Sequence, residues 1–441
     1  MIRLPPREKS FTDDFSQLYL GKKCRTITFI VTHACPLRCS YCYQSNKAER
    51  RMTFDIAKRC VDLLFDEDIK NSRYINEDKM NGLILDFIGG EPLLEIELID
   101  QIMDYFIFKA LDLNHRWAVR HMISISSNGV LYFDPKVTSF LRKHQGRVHI
   151  GITIDGNQKL HDTCRKFPDG RPSYHLAAAA FKDAQRRFGQ DGTKLTIAQA
   201  NLPYFFEACR DMISEFDLKY LQGNVVFEDE WTNQDANLYY YQLKQLADWL
   251  IETERWATTW VAFFDSFIGH EISEHETQTY CGGAGDMLAF DIDGTCYPCL
   301  RYSPVSMPKE FSKQFIIGHC DTGLESTPCQ QSCVSCLYSI TRRTQSTDEC
   351  WNCPIGSGCA NCLAWDAEHN GSPNIRCTHI CPMHHARVLA TSYFYNTLYR
   401  KFNEPDRFQL NVPHDKGTQI IDEGEYQMLI LLSQQSSGDG I

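Results

Sequence analysis

No run of about 18 apolar residues occurs anywhere in the 441 residues, so nothing is long enough to cross a bilayer as a helix. The start, Met1 to Pro6, lacks the apolar stretch of a secretory signal, and secretion is therefore not expected. Blocks of Lys and Arg are missing as well. Arg186-Arg187 and Arg342-Arg343 are isolated pairs in a chain of formal charge −11. Without a basic face there is little to neutralise phosphates, which excludes nucleic acid as an expected partner. Signs of disorder are absent too, since 43% of residues are hydrophobic and only 23% charged. The expectation is a cytoplasmic protein of two or three domains with a sizeable core.

What the sequence has in abundance is sulfur. Twenty cysteines in a reducing compartment read as metal ligands before disulfides. Between Cys42 and Cys281 only Cys60, Cys164 and Cys209 occur, whereas thirteen fall from Cys281 to Cys381. The first part reads as an ordinary core with one metal loop; the second is built on metal.

That loop carries Cys35, Cys39 and Cys42, spaced x3 then x2, directly after a strand-like run. Three such thiolates can converge on three corners of a 4Fe-4S cube and leave the fourth iron without a protein ligand. Structural zinc prefers four protein ligands, so the plain alternative is a zinc knuckle completed by His33. The spacing, with Tyr41 just before the third cysteine, resembles the radical S-adenosylmethionine (SAM) superfamily.

Along the chain, strand runs alternate with amphipathic helices. Strands are expected at residues 26–31, 83–88, 122–126, 149–154, 194–198 and 220–227. Thr53 reads as an N-cap, and Cys60 falls on the apolar face of the helix it starts. Pro92 and the Asp134-Pro135 pair open further helices, and residues 173–188, 203–216 and 236–253 read as helical. Six strand-helix units imply an α/β fold with a parallel sheet and right-handed crossovers, closing as an open, partial (β/α)6 barrel. Ligands then sit at the carboxyl ends of the strands, where Gly89-Gly90-Glu91-Pro92, Ser127-Asn128-Gly129 and Asp155-Gly156 all fall.

The resemblance assigns SAM to this end. It implies that Gly89 and Gly90 lie close to the amino group, with Glu91 in the same loop. Ser126 and Asn128 meet the ribose hydroxyls, and the Tyr41 ring lies near the adenine. Asp155 joins the cofactor contacts, and Arg165, in the pattern from His161 and Asp162, pairs with the methionyl carboxylate. In that family the bound sulfonium yields a 5'-deoxyadenosyl radical, able to take hydrogen from a C–H bond that no general base can deprotonate.

Further on, Cys281 is followed by an alternating run to Asp293-Gly294, a hairpin signal that returns Cys299 towards Cys281. Cys350, Cys353, Cys359, Cys362, Cys377 and Cys381 come next. This resembles the SPASM extension of radical SAM enzymes, which holds two auxiliary 4Fe-4S clusters, although the spacing from Cys359 to Cys362 is x2 rather than x3. Carried over, Cys281, Cys299 and Cys362 ligate the first auxiliary cluster, with Cys296 or Cys320 as possible fourth ligands. Cys350, Cys353, Cys359 and Cys381 ligate the second, Cys377 being the other candidate to close it. The alternative for the region is a pair of zinc sites. Cys329, Cys333 and Cys336 repeat the x3, x2 spacing outside the pattern and stay open.

The domain reading is an N-terminal segment to residue 24, a barrel at 25–255 and a linker helix region at 256–280. A SPASM domain at 281–400 and a C-terminal tail at 401–441 without readable function complete it. The chain looks like the maturases of ribosomally made peptides with Cxxx repeats. The expected activity is thioether crosslinking of a cysteine-containing precursor peptide, with SAM, three 4Fe-4S clusters and a flavodoxin- or ferredoxin-type electron donor. In this reading a peptide thiolate meets the first auxiliary cluster. The rivals are carbon-carbon or ether crosslinking, epimerisation, sulfatase-type maturation, and a zinc-stapled binding protein without catalysis. Leu300, where sulfatase-maturating members carry an aspartate, counts against their activity. No leader-binding domain is expected ahead of the barrel.

Overall fold

The computed structural model describes residues 24–66, 82–273, 281–285 and 287–434; the expected N-terminal segment lies almost wholly outside the described residues. The first strand, β1 (Cys24–Thr32), is a β-branched and aromatic run buried along nearly its whole length, as suits a central parallel strand covered on both faces. Thr53 then caps α1 (Phe54–Leu64), its hydroxyl accepting the Ile56 N–H at 3.4 Å. Next come β2 (Gly82–Gly89), a short 3-10 turn from Pro92, and α2 (Ile96–Asp112). They are followed by β3 (His121–Ser127), α3 (Pro135–Lys143) and β4 (Val148–Ile152). After these come α4 (Gln158–Cys164), which the periodicity does not predict, and α5 (Tyr174–Phe188). The units β5 (Gly192–Ile197) with α6 (Phe205–Phe216), and β6 (Tyr220–Val225) with α7 (Asn233–Glu252), complete the alternation.

Strands β1 to β4 pair in parallel in sequence order, as do β5 and β6. Side chains stitch the gap between the two sheets: the Thr193 hydroxyl donates to the Ile152 carbonyl at 3.1 Å, and Asp155 Oδ1 accepts the Thr196 N–H at 3.1 Å. This is the partial α/β barrel. Its core is aromatic: Phe29 packs between Phe87 and Phe290 with centroids 5.7 and 5.2 Å apart. Each such fully buried ring contributes about 1.5–3 kcal/mol.

The cysteine-rich part is joined to the barrel sheet. After β7 (Trp260–Val261), strand β8 (Met287–Phe290) pairs in parallel with β1, aligning Phe29 with Phe290. The Asp293-Gly294 turn, with Gly294 at φ 86°, returns β9 (Thr295–Tyr297) antiparallel to β8. The edge is finished by β10 (Gly318–His319) and β11 (Gly323–Leu324). Helices α8 (Pro328–Ser339), α9 (Leu363–Asn370), α10 (Cys381–Phe402) and α11 (Glu423–Gln434) follow.

One expectation changes here. No helix beyond the Arg255–Ala257 turn occurs in the described part of the linker region, which instead runs through β7. In the C-terminal tail α11 packs on α10, and Glu425 accepts from Tyr240 Oη at 2.6 Å and Lys244 Nζ at 2.5 Å on α7. Among the described residues, no helix is long and apolar enough to cross a membrane.

Candidate active site

The loop after β1 lies over the carboxyl ends of the barrel strands. Its backbone is fixed by neighbours: Gly90 N–H donates to the Thr32 carbonyl at 3.0 Å and Glu91 N–H to that of Ala34 at 2.9 Å. A Cβ on Gly90 would collide with the Ala34 carbonyl and come within 2.8 Å of Cys35 Cβ, and one on Gly89 would collide with the Thr32 carbonyl. In this structure both glycines are required by close backbone packing under the cysteine loop. His33 is committed elsewhere, its Nε2 lying 2.7 Å from Asp291 Oδ1 with both side chains buried.

Cys35, Cys39 and Cys42 remain free thiols on this loop, each partly exposed. Burial pushes the Cys35 thiol up to about 11 and raises that of Cys39, which the Arg165 guanidinium opposes. Thiols so placed ionise readily only when a metal supplies the missing positive charge.

Glu91 is fully buried and spends its carboxylate on the β3 turn. Oε1 accepts from Ser127 Oγ at 2.8 Å and Leu93 N–H at 3.2 Å, and Oε2 from Asn128 N–H at 2.8 Å. The turn is thereby presented to the cysteine loop, with Asn128 Nδ2 3.8 Å from Cys35 Sγ and Ser126 exposed on the strand. Glu91 thus holds the loop rather than offering a free oxygen to a ligand.

A second network joins Tyr41, Asp155 and Arg165. The Tyr41 hydroxyl donates to Asp155 Oδ2 and accepts from Arg165 Nη1 at 2.9 Å, while Arg165 Nη1 is 3.5 Å from Asp155 Oδ2. Asp155 is fully buried; burial raises its carboxyl, with Arg165 opposing. Arg165 Nε is buried with no hydrogen-bond partner among the described residues. His161 explains the rest of its motif: Nδ1 accepts the Asp155 N–H at 3.3 Å, and Nε2 donates to Ser173 Oγ at 3.0 Å, which in turn donates to the Arg165 carbonyl at 2.7 Å. Asp162 accepts the Ser173 and Tyr174 N–H groups at 2.9 and 2.8 Å, starting α5.

The later cysteines fall into separate groups. Cys281, Cys299 and Cys362 act on one another electrostatically, and burial pushes Cys299 up to about 12. Gly283 sits between two of them: a Cβ there would lie 3.5 Å from Cys281 Sγ and 4.0 Å from Cys299 Sγ. Cys350, Cys353, Cys359 and Cys381 line one cavity of about 840 Å³. Burial raises Cys381 to about 12, and Arg376 opposes that rise while donating to the Cys359 and Ala360 carbonyls at 2.8 and 2.9 Å. Cys377 is not in this cavity; Asn370 Nδ2 reaches its sulfur at 3.2 Å and Asp366 accepts its N–H at 2.8 Å. Cys296 and Cys320 do not join Cys281 and Cys299 but pair with each other and Cys60. On α8, Cys329 and Cys336 are exposed and Cys333 half-buried.

Residues 20–157, which contain the cysteine loop, match the family model described as a 4Fe-4S single cluster domain. The fold matches a solved structure of anSMEcpe with bound AdoMet, with a TM-score of 0.60 and 16% identity, over 90% of this chain and 97% of that chain. The chain is similar to radical SAM enzymes. It is 24% identical over 298 residues to the serine-type anaerobic sulfatase-maturating enzyme of Bacteroides thetaiotaomicron, covering 60% of this chain and 66% of that protein. It is 21% identical over 306 residues to the radical SAM cyclopropyl synthase TigE of Paramaledivibacter caminithermalis, covering 64% and 59%. Streptococcus suis SuiB bound to precursor peptide SuiA shares the fold, with a TM-score of 0.51 and 14% identity over 83% of this chain and 79% of that chain. The chain spans less than two thirds of the length of the curated relatives it matches.

The site fits SAM and a 4Fe-4S cluster. Three thiols at the right spacing offer soft ligands, and the orphaned Arg165 Nε is a buried donor awaiting an acceptor. Sequence reasoning missed Arg301, whose guanidinium lies 4.7 Å over the Tyr43 ring and 2.7 Å from Glu228 Oε1 while acting on Cys362. Its position two residues after Cys299 is the only signal that could have drawn attention to it.

Proposed function

We propose that the enzyme matures a ribosomally synthesised precursor peptide, installing thioether crosslinks between cysteine thiols and a residue carbon. The observation that carries this reading is the Cys281, Cys299 and Cys362 group beside Tyr43, the residue following Cys42. Neither Cys296 nor Cys320 completes that group as a fourth ligand, which leaves room for a sulfur from a peptide. When bound, SAM with its cluster supplies a 5'-deoxyadenosyl radical that removes hydrogen from an unactivated C–H bond.

The chain's own residues position and shield. Cys35, Cys39 and Cys42 hold the SAM cluster. Ser126 and Asn128 meet the ribose, and Gly89 and Gly90 allow the loops to close on the cofactor. Tyr41, locked by Asp155 and Arg165, orients it, while the free Arg165 Nε is available to the methionyl carboxylate. Cys281, Cys299 and Cys362 hold one auxiliary cluster, and Cys350, Cys353, Cys359 and Cys381 the other. That makes three clusters, with residues 25–255 as the SAM unit, residues 281–400 as the auxiliary unit and a flavodoxin- or ferredoxin-type protein as donor. Arg301 and Arg376 balance thiolate charge at the two auxiliary sites.

A peptide substrate is supported by the relatives, which include a sulfatase-maturating enzyme, and by SuiB bound to a precursor peptide. Leu300 in place of an aspartate after Cys299 disfavours sulfatase maturation. Anaerobic coexpression with a short cysteine-containing peptide encoded nearby, then thiol alkylation and mass spectrometry, tests the reading. Loss of two hydrogens per crosslink with blocked alkylation is the expected outcome. Mass loss with every thiol still free would replace thioether formation by carbon-carbon or ether crosslinking.

A further inference from the structure

The group of sulfurs set apart from all three proposed cluster sites has mixed donors around it. His319, Cys320 and Asp321 form the turn between β10 and β11, and Arg59 and Cys60 approach from α1. Cys320 Sγ is 3.9 Å from His319 Nδ1 and 3.7 Å from Asp321 Oδ1, and Asp321 Oδ2 is 3.5 Å from His319 Nδ1. Zinc bonds to sulfur, nitrogen and oxygen at about 2.3, 2.0 and 2.1 Å give tetrahedral edges of roughly 3.4–3.6 Å, and one donor atom from each of the three residues lies within 4.8 Å of the others, close enough to gather on one ion by side-chain rotation. Cys60, on α1, hydrogen-bonds Cys320 and lies outside the group formed by the other three donors, so that it becomes the fourth ligand by a shift of its side chain.

The surroundings also suit a metal. Asp321 N–H donates to His319 Nδ1 at 3.2 Å, so Nδ1 is the basic nitrogen. The other nitrogen, Nε2, then carries the proton and donates it to the Asp293 carbonyl at 3.0 Å. A carbonyl that fixes the tautomer from behind is the usual support of a metal-bound histidine. Arg59 Nε holds Asp321 Oδ1 at 2.7 Å and also reaches Cys320. Two thiolates and a carboxylate are then balanced by one divalent ion and one guanidinium. Gly294 leaves space above the sulfur that a Cβ would fill.

We propose that Cys60, His319, Cys320 and Asp321 form a structural zinc site that staples α1 of the barrel to the β10–β11 turn of the cysteine-rich part. Binding releases two thiol protons to solvent and involves no redox change.

The test uses holoenzyme reconstituted with iron and sulfide, so that the cluster thiols are occupied, then equilibrated with zinc, desalted and analysed for both metals. Roughly one zinc per chain is expected in the parent, as for a closed structural site. His319→Ala and Cys320→Ser should each lose that zinc while keeping the parent's iron. Asp321→Asn, a milder change at an exposed position, should bind zinc at least about tenfold more weakly in competition with a chelating dye, within the range typical of altered metal surroundings. Cobalt in the same site should show a thiolate charge-transfer band that Cys60→Ser weakens. Holoenzyme without zinc, zinc retained in both His319→Ala and Cys320→Ser, or a Cys60–Cys320 disulfide found in its place would overturn the proposal.

Discussion

Glu91, Asp155 and Arg165 show how single side chains are used twice over at this site. Each stands in a motif that suggests contact with cofactor, yet Glu91 ties down the β3 turn and Asp155 secures Tyr41 and β5. His161 is the hinge of the second network and works only when neutral. Burial drives its pKa from 6.5 down to about 3, with Arg165 adding to the effect. The unfolded chain takes up a proton as pH falls through 6.5, and the folded chain refuses it until about 3, so this group removes stability across that window. The cost is about 1.4 kcal/mol per pH unit for the imidazole. Denaturant unfolding of parent and His161→Gln at pH 7, 6 and 5 should show the variant losing less stability on acidification. Equal slopes would mean that His161 has the same pKa in the folded and the unfolded chain.

At the scale of elements, the caps and turns follow rules that the sequence displays. Thr53, Asp134 and the Asp293-Gly294 pair all act where local chemistry puts them. The C-terminal helix α11 does not announce its partners, because its role depends on one carboxylate meeting α7. Glu425 receives both the Tyr240 hydroxyl and the Lys244 ammonium in a partly buried position. Glu425→Ala strands the buried Tyr240 hydroxyl and should cost about 1–3 kcal/mol. Thermal unfolding should show the drop, with the iron content unchanged because no cluster cysteine lies on α11. An unchanged midpoint would show that α11 is held by its apolar face alone.

Across the whole molecule, β8 joining β1 makes one sheet of the barrel and the cysteine-rich part, so all the cysteine groups sit on a common frame. Three separate groups predict a stepwise iron content. Alanine at the Cys35, Cys39 and Cys42 set should remove about four irons and abolish SAM cleavage, as expected when one cluster loses its ligands. Alanine at the Cys281, Cys299 and Cys362 set, or at the Cys350, Cys353, Cys359 and Cys381 set, should each remove a further four or so while leaving SAM binding in place. Iron and sulfide analysis of the reconstituted variants checks this. Loss of all iron from any one set would show that the groups are not independent sites.

The order of strands and helices was legible because it rests on local periodicity and capping, and the cysteine loop because ligand spacing is itself a local property. The later cysteines were legible as candidate metal ligands, and the resemblance divided most of them into two sets, but the places of the remaining ones were not legible. Cys296, Cys320 and Cys377 look as suitable as their neighbours in the sequence, and only the packing of α1, β9 and β10 sends Cys296 and Cys320 to Cys60, while Asp366 and Asn370 retain Cys377. Arg301, and the part His161 plays within its motif, were not legible for the same reason. A charge or a tautomer acts through its distance to groups far along the chain, and those distances exist only once the tertiary structure has formed.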